Sequence, residues 1–221
     1  MLFNLRNLLP ELACVLAIGQ FVASAPHGDP LNTDHGLEKR VPPQGMKFNG
    51  DSGAWTVIKK KNSHSSWADQ KQGIEQAKTD SNTYYRSYIA SNPTHDALLI
   101  SALYVPHEGI FVSSYPRNKP PTGQAPDWAK AVAGRKHDKR HVEDAALWLY
   151  ESTLAADKRT HESGKYPAGS TIFTYGQFAG QEPDHQPACG SQPGSAKIDP
   201  SCTKVLTTLG VKDGNNPLHN P

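Results

Sequence analysis

The stretch Ala97-Leu98-Leu99-Ile100-Ser101-Ala102-Leu103-Tyr104-Val105-Pro106-His107-Glu108-Gly109-Ile110-Phe111-Val112-Ser113-Ser114-Tyr115 decides the fold. Residues 97–105 are nearly all apolar, and the run is short. That pattern reads as a strand buried on both faces. Pro106-His107-Glu108-Gly109 has turn chemistry, and a second strand, 110–115, follows at once. A connection this short makes the pair an antiparallel hairpin.

Upstream, Trp67, Ile74, Ala77, Ser81, Tyr84 and Tyr88 recur near helical spacing, and Tyr85 and Ile89 widen the stripe. This predicts a helix over 67–90, capped by Ser65-Ser66 and ended by Asn92-Pro93, with its aromatics in the core. Trp55-Thr56-Val57-Ile58 is a candidate short strand, and Lys59-Lys60-Lys61 reads as a solvated loop. Downstream, a Pro-rich loop (116–126) and a helical turn (128–132) precede an amphipathic helix from His141 to about Asp157. Ser170-Thr171-Ile172-Phe173-Thr174-Tyr175 is a third strand. A loop of Gly, Pro, Gln and Asp carries Cys189. Ser201 caps a last helix that runs through Leu209 and stops at Gly210, and the Asn- and Pro-rich tail reads as frayed. The order is helix, strand, strand, helix, strand, helix. The expected class is α/β, a three-layer α-β-α core at about 66–210 around a small mixed sheet, with little chain after the last helix.

The 221 residues suit one domain. A formal charge of +2 against 23 basic and 21 acidic side chains gives no bulk electrostatic case for nucleic-acid binding. Residues 1–25 read as a signal peptide. Arg6 supplies the positive start, Leu12 to Ile18 begin the apolar segment that runs through Phe21-Val22, and Ala23-Ser24-Ala25 supplies small residues for cleavage. The apolar run is shorter than the roughly 20 residues a membrane span needs, so no membrane anchor is expected. Residues 26–40 read as a pro-segment. They end in the dibasic pair Lys39-Arg40, which resembles a processing site for a kexin-like protease and suggests fungal secretory maturation. The expected mature product is a secreted, extracellular domain at 41–221. A second pair, Lys139-Arg140, precedes a helix, where cleavage would divide the domain.

The mature chain keeps two cysteines, Cys189 and Cys202. In an oxidising compartment such a pair can close a disulfide around a loop of about 14 residues, worth about 3 kcal/mol in the chain-entropy model. With His141 the same thiolates make a three-ligand set for a tetrahedral metal with one open position. Both readings stand at this level. Glu143 lies two residues after His141, and side chains two apart on a helix diverge. The pair can converge only if His141 sits at or just before the first helical residue. If the cysteines are bonded to each other, Glu143 and Asp144 are helix-start residues that complement the dipole. His137, His161 and His185 lie in polar loops and read as solvated. There is no Gly-x-Ser-x-Gly elbow. The Glu, Arg and His of a guanyl ribonuclease cannot be placed together on strands.

With its helix and hairpin, then His141-Val142-Glu143 opening a helix, a strand, and Pro200-Ser201-Cys202 opening another helix, the chain resembles the cytidine-deaminase-like superfamily over about 66–210. The resemblance implies that His141, Cys189 and Cys202 hold Zn2+ and that Glu143 shuttles protons as the catalytic residue. It implies a zinc-dependent hydrolase whose partner is a nucleobase in a nucleoside, nucleotide or nucleic acid, and it admits a toxin, a secreted effector of virulence. Where the family has Cys-x-x-Cys, twelve residues here, Gly190 to Ser201, separate Cys189 from Cys202. The alternative is a non-catalytic secreted effector, stabilised by a Cys189–Cys202 disulfide, that binds an extracellular or host protein.

Overall fold

Hydrophobic periodicity sets the architecture, and it does so from the centre of a sheet outward. In the computed structural model, residues 41–50, 53–61, 69–92, 98–115, 141–155, 164–189, 201–216 and 218 are described. All belong to one unit, Thr33–Pro221. Among them the elements run β1 (Lys47–Asn49), β2 (Ala54–Lys60), α1 (Gln70–Ser91), β3 (Leu98–Val105), β4 (Gly109–Ser114), α2 (Val142–Glu151), β5 (Thr171–Gln177), β6 (Asp184–His185), α3 (Cys202–Leu209) and β7 (Lys212–Asp213).

The sheet order is β1-β2-β4-β3-β5-β6, every pair antiparallel, with β7 added to β5 in parallel. The sheet is therefore mixed. β3 and β4 are the expected hairpin, paired from Ile100↔Ser114 to Val105↔Gly109. The turn needs a left-handed residue, and His107 takes φ 66° there. Gly109, at φ 150°, lies so close to the Lys59 carbonyl that no side chain would fit.

Alternation along β3 feeds two cores. Ile100, Ala102 and Tyr104 join Ala77, Tyr84, Tyr85 and Tyr88 of α1 on one face. Leu103 and Val105 join Ala146, Leu147 and Leu149 of α2 and Val205, Leu206 and Leu209 of α3 on the other. The result is the expected three-layer α-β-α arrangement, and the aromatics of α1 are core.

The sheet is wider than the sequence pattern indicates. The 55–58 segment is a full strand, β2, and β1, β6 and β7 add to the edges. Lys59 and Lys60 belong to β2 rather than to a loop. Lys59 Nζ pairs at 2.8 Å with the buried carboxylate of Asp80 on α1. The start of α1 also differs. Its cap is Asp69, whose Oδ1 accepts the Gln72 N–H at 2.9 Å, so Asp69 satisfies an end donor that the Ser65-Ser66 reading gave to a serine. Residues 65 and 66 lie outside the described residues, as do the signal and pro-segments at 1–40, the helical turn at 128–132, His137 and His161. The last helix begins and ends as expected. Ser201 Oγ accepts the Lys204 N–H at 3.3 Å, and Gly210 closes the helix in the left-handed region at φ 71°.

Of the tail after Gly210, residues 211–216 are tied down rather than frayed. The Lys212 N–H donates to Ser170 O at 2.9 Å, and the Gly214 N–H to Ile172 O at 2.8 Å. Among the described residues, no helix is long and apolar enough to cross a membrane.

Candidate metal centre

His141 is the N-cap of α2, with extended φ −95° and ψ 163°. This is the placement the His141/Glu143 spacing requires, because a cap residue is not bound by helical geometry. The His141 N–H donates to Asp144 Oδ2 at 3.1 Å, which fixes the helix start. Cys202 is the first residue of α3 and is almost wholly buried. Both helices thus present their N-terminal ends, where the dipole favours negative charge.

The two ends meet. Cys202 Sγ lies 2.9 Å from His141 Nδ1. The third member comes from the loop after β6, where Cys189 Sγ accepts the Cys202 N–H at 3.0 Å. His141, Cys189 and Cys202 each offer one ligand atom, and these lie within 4.8 Å of one another. An imidazole and two sulfurs this close fit a thiophilic cation, and the group could hold a metal ion. Cys189 and Cys202 are not joined by a disulfide in the structure.

Glu143 sits beside the cluster, 6 % exposed. Its Oε2 lies 3.8 Å from Cys202 Sγ. Its Oε1 accepts from Thr174 Oγ1 at 3.0 Å, and Thr174 Oγ1 lies 2.6 Å from Ser101 Oγ. Ser101 and Thr174 face each other across the β3–β5 register. Pattern reading missed both. The available signal was Ser101 in the nearly all-apolar strand LLISALYV and Thr174 between the two aromatics of TIFTYGQ.

The electrostatics suit a site that exchanges protons for a cation. Burial opposes a charge on His141, but the hydrogen bond with Cys189 and the Asp144 and Glu143 carboxylates outweigh it and lift its pKa to about 9. Burial pushes Glu143 up to about 7, against the opposing pull of His141. The hydrogen bond from Cys202 brings Cys189 down to about 4, with His141 assisting. Burial pushes the Cys202 thiol well above its ordinary range.

The loop that carries Cys189 is held by the tail. Asp213 Oδ2 accepts the Ala188 N–H at 2.8 Å. Asn215 Nδ2 donates to Thr174 O at 2.7 Å and to Gln186 O at 2.9 Å. His185, expected in solvent, is half-buried with its ring edge-on to Tyr175, centroids 4.9 Å apart. It takes no part in the cluster. Compared with family models, curated proteins and solved structures, the chain gives no match in any of the three.

Proposed function

We propose that this chain is a secreted zinc-dependent deaminase-like hydrolase that acts on a nucleobase in a nucleoside or nucleic acid, with the use of a toxin or effector. The observation that carries the reading is the convergence of His141, Cys189 and Cys202 at two helix N-termini with a buried, non-clustered carboxylate, Glu143, beside them. This is the part list of a base deaminase, with three ligands, one open position and one proton carrier.

A bound zinc ion supplies Lewis acidity that makes water nucleophilic near neutral pH. In the net reaction water adds at the amino-bearing ring carbon, the C–N bond breaks, ammonia leaves and a ring carbonyl remains. Glu143 takes a proton from the water and returns it to the departing nitrogen. Its pKa of about 7 suits both halves of that task. Thr174 holds one oxygen of the carboxylate, so the other faces the cluster.

The proposal includes export, with residues 1–25 removed as a signal peptide and 26–40 removed after Lys39-Arg40. N-terminal sequencing of secreted protein should then begin at Val41.

The test is ammonia release by zinc-loaded protein from cytosine, adenine and guanine nucleosides and from single-stranded nucleic acid. At least one substrate should be turned over. Glu143→Gln should lower turnover by about 10²–10⁴-fold with zinc content unchanged. Full activity in that variant removes Glu143 from the chemistry. No release from any base by the zinc-loaded chain removes the deaminase assignment.

A further inference from the structure

Carboxylate oxygen is an ordinary zinc ligand, and a fourth protein ligand would turn an open site into a closed, structural one. Glu143 is placed where that could happen. Its Oε2 is 3.8 Å from Cys202 Sγ, a member of the cluster, and the residue is buried. Its other oxygen is engaged by the sheet. Oε1 accepts from Thr174 Oγ1 at 3.0 Å, and Ser101 Oγ stands 2.6 Å behind Thr174 Oγ1.

Thr174 has one hydroxyl proton. If it is given to Glu143, the hydroxyl of Ser101 must donate to Thr174, so the order is Ser101 to Thr174 to Glu143. Ser101 is wholly buried and Thr174 nearly so. A buried hydroxyl in a core strand costs free energy unless it is hydrogen-bonded, and Val would fill the space of Thr174 without one. The hydroxyls therefore have a task at this point of the sheet, under the N-terminal end of α2.

We infer that Thr174, ordered by Ser101, is the positioning residue that keeps Glu143 out of the ligand set and so leaves one coordination position open. The inference rests on the metal-site reading above and adds what decides whether that site is open or closed. The same device keeps the carboxylate free to carry a proton.

Cobalt(II) in place of zinc, with azide as a probe of the open position, reads this without any substrate. The cobalt-loaded wild type should shift its visible absorption as azide is added. Thr174→Val should bind cobalt at least as well but lose azide affinity by about tenfold or more, as Glu143 closes on the ion. Thr174→Ser should behave as wild type. The double variant Thr174→Val with Glu143→Gln should regain the azide response. Ser101→Ala, a smaller disturbance, should weaken azide in the same direction and serves if Thr174→Val does not fold. Equal azide affinity in wild type, Ser101→Ala and any folded Thr174→Val overturns the inference while the metal site stands. A wild type that takes up no cobalt defeats the metal-site reading, and the inference falls with it.

Discussion

Cys202 Sγ and His141 Nδ1 are 2.9 Å apart although 61 positions separate the two residues in the chain. The contact joins the first residue of α3 to the cap of α2. Helix ends are fixed by backbone hydrogen bonds, so the pair is set by the placement of two helices on one sheet face and not by side-chain reach. That makes the cluster a property of the fold, and the consequences can be measured.

The first concerns pH. At neutrality His141, with pKa about 9, and Cys202, held well above the ordinary thiol range, keep their protons, while Cys189, near 4, has lost its own. A metal must displace the bound protons, so zinc uptake should release about two protons per ion at pH 7. Affinity should therefore rise with pH and fall as acid is added, as read by competition with a chromophoric chelator across about pH 6 to 8. A flat affinity over that range would show that neither proton is displaced.

The tail should matter to the metal. Asp213→Ala leaves the buried Ala188 N–H without its acceptor, one residue before Cys189. The expected cost is about 1–3 kcal/mol of stability. Zinc affinity should weaken by about tenfold as the Cys189 loop loosens. Thermal melts and chelator competition measure the two effects separately. A variant that matches wild type in both would mean that the loop is held elsewhere.

Gly73 tests how tightly α1 sits on the sheet. Helix propensity alone favours Gly73→Ala by about 1 kcal/mol. A Cβ there would run into the ring of Tyr104, which is buried on β3. Overpacking of a filled core costs about 1–3 kcal/mol, so the clash should win and the variant should melt lower than wild type. A higher melting temperature would show that the ring yields.

The sequence made some of these features legible and hid others, for physical reasons. The continuous apolar run of β3 and the turn residues that follow it carry their own structure, and so do Ser201 and Gly210 at the two ends of α3. The cluster was visible because His141 and Cys202 fall where helical patterns begin. β6 and β7 were not visible, because two residues have no periodicity to read. Asp213 and Asn215 look like any polar tail until the strand pairing of β7 brings them against the Cys189 loop. Ser101 and Thr174 stand 73 positions apart, and only the β3–β5 register places one against the other. His185 reads as a loop histidine, yet its pairing opposite Tyr175 draws it half into the protein.

Zinc content and thiol titration of the purified mature chain test the central claim most directly. The account predicts one zinc per chain, and two thiols that react once the ion is removed by a chelator under denaturing conditions. A chain with no zinc, no reactive thiol and a Cys189–Cys202 bond found by peptide mass mapping would contradict it, and would leave a disulfide-stabilised protein without this chemistry.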